Sequence, residues 1–253
     1  MTARAKLNTG IQYDRIAKWY DLLAEGDDGK IYFRLHAREL LNRQGKQAYI
    51  LDCSCGTGDH AIWMAGLGYR VDASDISQKM LGIARQKAAA EKLNIRFFRS
   101  SWEELQHKAK KKYTLVVSPG NSFSHLQGSE MLQASVSSIW NVMQQGGHFM
   151  FDIRNWEKTI AENSLQEQSF HISEGGMCSK VCYAWDNRGL NKPGKMFVSI
   201  SRGEDGEVER YDFDFLPVTY GQLRSALEKT GFGHIRRDFY PGRDHYCLTA
   251  QKI

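Results

Sequence analysis

A glycine-rich segment in the first quarter of the chain carries the strongest chemical signal. Residues 51–58 read Leu-Asp-Cys-Ser-Cys-Gly-Thr-Gly and end a short apolar run, and Asp75 lies about twenty residues further on. Glycines just past a buried strand let a ligand approach the backbone closely, and an acid that ends the next strand can accept hydrogen bonds from both hydroxyls of a ribose. These residues therefore predict a nucleoside-binding site.

A dinucleotide such as NAD is the first alternative ligand for this segment. A dinucleotide site would require Gly-x-Gly-x-x-Gly, with the pyrophosphate at the start of the following helix. Ala61 stands in the place of the third glycine, and Asp59 puts an anion where the pyrophosphate would lie. These residues disfavour NAD. A glycine turn that binds no ligand is the second alternative, and the spaced acid Asp75 argues against it.

The same segment resembles motifs one and two of class I S-adenosylmethionine-dependent methyltransferases, a resemblance that covers about half of the chain. It implies S-adenosylmethionine as the cofactor, with its methionine part over the glycine turn, its ribose on Asp75 and its adenine between apolar residues. The cofactor-binding residues that this resemblance implies are Tyr13, Tyr20, Lys30, Cys53, Ser54, Gly56, Asp75, Ile76, Met80, Ser101, Trp102, Pro119 and His125.

Two further segments are similar to glycine N-methyltransferases. Residues 120–126 read Gly-Asn-Ser-Phe-Ser-His-Leu, and residues 151–155 read Phe-Asp-Ile-Arg-Asn. Both follow or end predicted strands, where open α/β sheets bind ligands. The resemblance implies that Arg154 clamps an amino-acid carboxylate and that Asn121 orients the acceptor amine through its side-chain carbonyl. These two are the predicted catalytic residues, and His125 supports the cofactor's carboxylate end or its loop.

Each of these assignments has a purely structural alternative. For Arg154 the alternative is an ion-pair partner at a strand end, and for His125 it is a loop histidine with its hydrogen bonds satisfied. Tyr13 and Tyr20 lie seven residues apart, which is also the spacing of the buried face of an ordinary amphipathic helix. The residue patterns leave both interpretations open.

Alternating strands and helices must position these side chains. Short apolar runs predict strands at 48–52, 69–73, 95–99, 114–118, 148–153 and 246–250. Amphipathic or capped segments predict helices at 59–66, 78–91, 130–143 and 219–230, after two N-terminal helices joined by a turn at 26–29. The alternation predicts an α/β fold, a Rossmann-like and mostly parallel sheet with helices on both faces.

The alternation stops between residues 155 and 217. Three β-rich stretches, at 181–185, 196–201 and 208–215, are separated by turns at 187–189 and 203–206 and predict an antiparallel insertion. The expected organisation is an N-terminal helical lid at 1–45, a core at 46–154 and 218–253, and the antiparallel β insertion at 155–217 over the acceptor site.

Composition narrows the class of protein. The 253 residues are 42% hydrophobic and 25% charged, which is typical of a globular chain. Five cysteines without a zinc-ligand pattern predict free thiols and no metal. No apolar span or signal segment is present, so we expect a cytoplasmic protein with no membrane partner. A net charge of +5 and the absence of a Pro-Pro-Tyr stretch after the fourth strand argue against nucleic acid.

The predicted function is therefore an S-adenosylmethionine-dependent N-methyltransferase that acts on a small amino acid such as glycine or sarcosine, of the betaine-synthesis type. The chain is shorter than the animal glycine enzymes, and bacterial or archaeal glycine/sarcosine enzymes are the better comparison. A natural-product N- or O-methyltransferase and a non-catalytic cofactor-binding protein are the alternatives. The expected partner is a small-molecule acceptor, and a homo-oligomer is compatible with the sequence.

Overall fold

A seven-stranded sheet forms the centre of the computed structural model, which describes residues 2–24, 29–165, 167–174, 177–202 and 208–253. Its strands are β1 (Tyr49–Asp52), β2 (Arg70–Asp75), β3 (Arg96–Arg99), β4 (Tyr113–Ser118), β5 (Met143–Arg154), β10 (Phe232–Phe239) and β11 (His245–Lys252). Their order across the sheet is β10-β11-β5-β4-β1-β2-β3, and only β10 and β11 run antiparallel to their neighbours. The carboxyl ends of the five parallel strands therefore share one edge.

Helices cover both faces of this sheet, which confirms the predicted fold class. The helices are α1 (Thr2–Ile16), α2 (Tyr20–Leu23), α3 (Gly29–Gln44), α4 (Asp59–Gly66), α5 (Gln78–Ala90), α6 (Leu105–Lys108), α7 (Ser129–Val142), α8 (Trp156–Ala161) and α9 (Tyr220–Thr230). On one face, the apolar sides of α7 and α9 pack against β5 through Ile139, Leu227 and Phe151. On the other face, α3 and α5 pack through Phe33 and Leu81.

A second sheet of four antiparallel strands follows α8. It contains β6 (Gln168–Glu174), β7 (Met177–Asp186), β8 (Gly194–Arg202) and β9 (Val208–Phe215), in that order. Side chains on alternate positions face the N-terminal helices, since Val198 and Phe213 share a buried cluster with Ile16 and Trp19. The insertion is thus packed against the N-terminal segment.

Four elements were missing from the sequence prediction. The edge strands β6 and β10 have mostly polar residues and little alternation, and the short helices α6 and α8 have too few residues to show a period. Strand β5 also begins at Met143, earlier than the predicted residue 148. Most of the turn predicted at 26–29, and the turn predicted at 203–206, lie outside the described residues.

No helix among the described residues is both long and apolar enough to cross a membrane. Cys53, Cys55, Cys182 and Cys247 are free thiols, and the side chain of Cys178 lies outside the described residues. The described histidines, cysteines and acids contain no group that could hold a metal ion.

Candidate active site

The loops that follow the parallel strands enclose a cavity, here called the turn cavity, with about 690 Å³ of empty space including its mouth. Its walls come from the glycine turn after β1, the start of α5, the turn after β3, the loop after β4 and helices α1 and α2. The predicted residues that line it are Tyr13, Tyr20, Cys53, Ser54, Gly56, Asp75, Ile76, Met80, Ser101, Trp102 and His125.

The glycine turn is fixed by Asp75. Gly56 has a φ of +52°, and its backbone N–H donates to Asp75 Oδ2 at 2.8 Å. The other oxygen, Oδ1, accepts from the backbone N–H of Ser77 at 2.8 Å. Burial raises the pKa of Asp75. A carboxylate has further lone pairs after two hydrogen bonds, so Asp75 can shape the turn and still accept ribose hydroxyls.

The opposite end of the turn cavity fits a flat, largely apolar group. Ile76 and Met80 line it near the start of α5, and Trp102 lines it from the turn after β3. Ser101 is buried, and its Oγ has no hydrogen-bond partner among the described residues. A buried hydroxyl without a partner is costly unless a ligand satisfies it. An adenine ring, apolar on its faces and polar at its edge, suits this end of the cavity.

A hydrogen-bonded chain anchors α1 to the loop after β4. His125 Nδ1–H donates to the backbone carbonyl of Asp214 at 2.8 Å, so Nε2 is left to accept from the Tyr13 hydroxyl at 2.7 Å. Burial lowers the pKa of His125, which keeps the ring neutral. The structure therefore gives His125 satisfied hydrogen bonds and a wall position in the turn cavity.

A second cavity, here called the outer cavity, lies between the same sheet edge and the insertion. Arg154, at the end of β5, lines it, and the guanidinium carbon is 5.5 Å from the ring centre of Trp185. Asn121, Asp152 and His245 lie at the same end of the cavity. His245 reaches this edge because it pairs with Arg154 in the antiparallel ladder.

Asn121 is used differently from the sequence prediction. Its side-chain Oδ1 accepts from the backbone N–H of Arg154 at 3.0 Å and from Ser124 Oγ at 2.6 Å. These two donors occupy both lone pairs of the amide oxygen. The carbonyl therefore positions Arg154 and the loop after β4, and a role for it in orienting an acceptor amine has no support in this geometry.

The two cavities meet at the N-terminal helices. Tyr13 and Tyr20 line both of them, and the ring of Tyr20 approaches Gly56 closely enough to contact a side chain added there, at 3.4 Å from its Cβ. A group bound in the turn cavity and a molecule bound in the outer cavity would therefore face each other at these tyrosines.

Two predicted cofactor residues lie outside the turn cavity. Lys30 Nζ forms an ion pair with Asp59 Oδ2 at 2.6 Å, and Asp59 lies on the first turn of α4. This ion pair directs the lysine away from the turn cavity. Pro119 is buried behind the wall, where its carbonyl accepts from Ser122 Oγ at 2.7 Å. Neither residue lines the turn cavity, although the Pro119 carbonyl lies 3.5 Å from Ser54 Oγ, which does.

Several lining residues were missed by sequence reasoning. Asp152 lies two positions before Arg154 on β5, and alternate residues of a strand share a face, so this spacing was an available signal. Its Oδ1 accepts from the backbone N–H of Gly120 at 2.7 Å. Arg243 and His245 belong to the β10–β11 hairpin, which could not be predicted because β10 was missed.

Comparison with known proteins identifies methyltransferases that are similar to this chain. Residues 50–147 match a family of methyltransferase domains. A protein of Geobacillus sp. (strain WCH70), named only as a methyltransferase, is 28% identical over 228 residues, covering 87% of this chain and 88% of that protein. The glycine/sarcosine N-methyltransferase of Parasynechococcus marenigrum is 27% identical over 247 residues, covering 95% and 82% of the two chains.

Solved structures share the fold at lower identity. An amino pentose methyltransferase of Micromonospora echinaspora, solved with S-adenosylmethionine bound, superimposes with a TM-score of 0.76 at 14% identity and covers 91% of this chain and 94% of that one. Its fold includes the parallel sheet that places the glycine turn and Asp75 at one edge here. On this combined evidence, the chain is a class I S-adenosylmethionine-dependent methyltransferase.

Proposed function

We propose that this methyltransferase transfers the methyl group to the amine of a small amino acid such as glycine or sarcosine, as in betaine synthesis. The observation that carries the proposal is the position of Arg154 in the outer cavity, across Tyr13 and Tyr20 from the turn cavity. Relatives named as glycine/sarcosine N-methyltransferases, at 22–27% identity, support the same acceptor class.

The turn cavity is the proposed cofactor site. Gly56 and the neighbouring Ser54 would face the methionine part of the cofactor, and Asp75 would accept the ribose hydroxyls. Ile76, Met80 and Trp102 would enclose the adenine, with Ser101 Oγ at its edge. The left-handed backbone at Gly56 and the buried Ser101 hydroxyl, which has no hydrogen-bond partner among the described residues, fit these groups.

Arg154 is the proposed anchor of the acceptor carboxylate. A guanidinium presents a planar pair of N–H donors that matches a carboxylate. Trp185 and Trp156 lie beneath it, with ring centres 5.5 and 5.7 Å from the guanidinium carbon, and restrict its orientation. Asn121 fixes the backbone of the same residue through the Arg154 N–H. An amino acid held there would direct its amine towards Tyr13 and Tyr20.

The main contribution of the protein to the reaction is to orient the acceptor amine towards the methyl group of the cofactor. When bound, S-adenosylmethionine provides a methyl group that its positive sulfur already activates. Holding two reactants in line contributes up to about 7–11 kcal/mol to lowering a barrier. Tyr13 and Tyr20 close the junction of the cavities, and the amine proton leaves to water.

The first experiment incubates the protein with labelled S-adenosylmethionine and glycine, sarcosine, dimethylglycine, amino sugars, phenols and RNA. We expect label on glycine or sarcosine. Arg154→Gln should lower kcat/KM for the labelled amino acid about 10- to 100-fold, because it removes a charged hydrogen bond to the carboxylate. Cofactor affinity, measured by calorimetry, should change little.

Arg236→Gln is the matched control, because this arginine on β10 is exposed and pairs with Asp238, outside both cavities. Equal losses in both variants would contradict the carboxylate anchor. Label on an amino sugar alone would favour a natural-product N-methyltransferase, the alternative supported by the shared fold of the amino pentose enzyme. Cofactor binding without transfer to any acceptor would favour a non-catalytic binding protein.

A further inference from the structure

The outer cavity has a polar end and an apolar end. The polar end is built by the core, where Arg154 and Asp152 extend from β5 and Arg243 and His245 come from the β10–β11 hairpin. These groups lie at the sheet edge, close to the loop of Asn121. This end suits a carboxylate and the atoms next to it.

The apolar end is built by two other parts of the chain. Ile16 and Leu23 come from the N-terminal helices, and Met196, Val198 and Phe213 come from β8 and β9 of the insertion. Ile16, Val198 and Phe213 are each at most 2% exposed and belong to one packed cluster, so this wall is preformed. No charged side chain among the described residues interrupts this wall, which suits a hydrocarbon group.

Glycine would leave the half-buried part of this wall, at Leu23 and Met196, in contact with water. The outer cavity has about 1180 Å³ of empty space including its mouth, more than the roughly 690 Å³ of the turn cavity. Apolar surface that stays hydrated contributes nothing to binding, whereas hydrocarbon that covers it is favourable in proportion to the area buried. The cavity therefore matches a molecule with an anionic end and an apolar end.

We infer that the preferred acceptor is an α-amino acid with an unbranched or branched aliphatic side chain of several carbons, larger than glycine or sarcosine. This inference rests on the proposed function, since Arg154 must hold the carboxylate. The side chain then extends along Met196 and Val198, while the amine faces Tyr13 and Tyr20.

Met196 determines how long that side chain can be. Successive residues of β8 point to opposite sides of the sheet, so Met196 lines the cavity while its neighbour Phe197 is 43% exposed on the outer side. The two positions form a matched pair on one strand. A change of size at residue 196 alters the length of the cavity, and a change at residue 197 does not.

The test measures kcat/KM of the full-length protein with labelled S-adenosylmethionine over the series glycine, alanine, 2-aminobutyrate, norvaline and norleucine, with sarcosine alongside. We expect kcat/KM to rise along the series and to be at least about tenfold higher for the best aliphatic acceptor than for glycine. Dissociation constants of the same amino acids, measured by calorimetry with S-adenosylhomocysteine bound, should fall in the same order.

Two substitutions at one position should move the optimum in opposite directions. Met196→Trp should lower the ratio of kcat/KM for norvaline to that for glycine at least about tenfold, and Met196→Ala should shift the optimum to a longer chain. Phe197→Leu, the control on the outer side, should leave the chain-length profile unchanged. Met196→Ala gives the answer even where the bulkier variant fails to fold.

The outcomes separate the inference from the proposed function. A profile that falls from glycine or sarcosine to the longer acceptors would overturn the inference and leave amino-acid methylation standing. Transfer to amino sugars, with no amino acid of the series labelled, would overturn both. A rising profile that Met196→Ala and Met196→Trp do not move would place the side chain elsewhere and would also overturn the inference.

Discussion

At the scale of single residues, Asp52 beside the glycine turn has a property that its place in the sequence motif did not predict. Asp52 ends β1 and is fully buried, and its Oδ1 accepts from the backbone N–H of Ser54 at 3.3 Å. Burial raises the pKa of Asp52 to about 8, and the nearby Asp75 carboxylate acts in the same direction. Asp52 is therefore protonated in the folded protein at neutral pH.

This protonation makes stability depend on pH. In the unfolded chain an aspartate ionises near pH 4, so between about pH 4 and 8 folding takes up a proton at Asp52. The contribution to stability is complete below about pH 4 and is lost as the pH rises through about 8. Asp52→Asn, neutral at every pH, should therefore gain stability relative to the wild type as the pH rises from 5 to 8.

Urea unfolding of both proteins at several pH values measures this difference, with Asp186→Asn, whose side chain is 42% exposed, as the control. A difference in the free energy of unfolding that stays constant with pH would show that Asp52 is ionised in the folded protein.

At the scale of elements, the N-terminal helices are held on the core by charged contacts. Asp14 Oδ1 accepts from Ser77 Oγ at 2.5 Å and from the backbone N–H of Lys79 at 2.9 Å, at the start of α5. Asp21 accepts from Thr57 Oγ1 in the glycine turn and pairs with Lys87 on α5 at 3.0 Å. Asp14 directly follows Tyr13 and Asp21 directly follows Tyr20, so these contacts hold the two tyrosines over the two cavities.

Lys87 connects Asp21 to a second carboxylate. It also lies 2.5 Å from Asp59, which receives a second lysine, Lys30, at 2.6 Å. Burial alone would raise the pKa of Asp59, but hydrogen bonds from the two lysines lower it to about 2. Asp59 is therefore charged at neutral pH, and the network ties α2, α3, α4 and α5 together.

Lys87→Met should loosen the N-terminal helices more than it unfolds the core. We expect the free energy of unfolding to fall by about 1 kcal/mol, since partly exposed ion pairs are individually weak. Limited proteolysis should cut within residues 2–24 faster in the variant, and high salt should reduce the difference. Lys229→Met, on an exposed turn of α9, is the control. Equal cleavage in all three proteins would show that Lys87 does not hold the segment.

At the scale of the whole molecule, the turn cavity is assembled from distant parts of the chain. Tyr13 comes from α1, Gly56 from the glycine turn, Trp102 from the turn after β3 and His125 from the loop after β4. His125 in turn bonds the backbone of β9 in the insertion. A molecule bound in this cavity contacts all of these parts and should stabilise them together.

S-adenosylhomocysteine should therefore raise the Tm of the whole protein in one transition. At one hundred times its Kd, a ligand specific for the folded state adds about 2.7 kcal/mol, which corresponds to a rise of about 5–10 °C for a chain of this size. Scanning calorimetry measures the shift, and hydrogen exchange should show protection in α1 and in the glycine turn.

Asp75→Asn is the test of the binding mode in that experiment. The backbone N–H groups of Gly56 and Ser77 donate to the two oxygens of Asp75, so in the variant the amide NH2 would face one of these donors. The amide would also offer fewer lone pairs to the ribose. The variant should therefore lose most of the shift in Tm. A full shift in this variant would mean that the ligand binds without Asp75.

Sequence reasoning reached most of the core because the core elements are strongly patterned. The predicted helix at 59–66 agrees with α4, and the strand predicted at 114–118 differs from β4 by one residue. The weakly patterned edge strands β6 and β10 were missed because they lack a clear alternation. Since β10 was missed, the positions of Arg243 and His245 could not be predicted either. Pairing with a neighbouring strand forms such edges, and no local pattern records it.

By itself, the sequence determined the fold class and the kind of cofactor. A glycine turn after a buried strand and an acid one strand later are local features, and their spacing along the chain is enough to specify them. The tertiary structure alone decided how the other side chains are used. It paired Lys30 with Asp59, turned the Asn121 carbonyl to the backbone of Arg154, and brought Met196 and Val198 into the same cavity as that arginine. These relations depend on distances between elements far apart in the chain, which packing fixes and residue spacing does not.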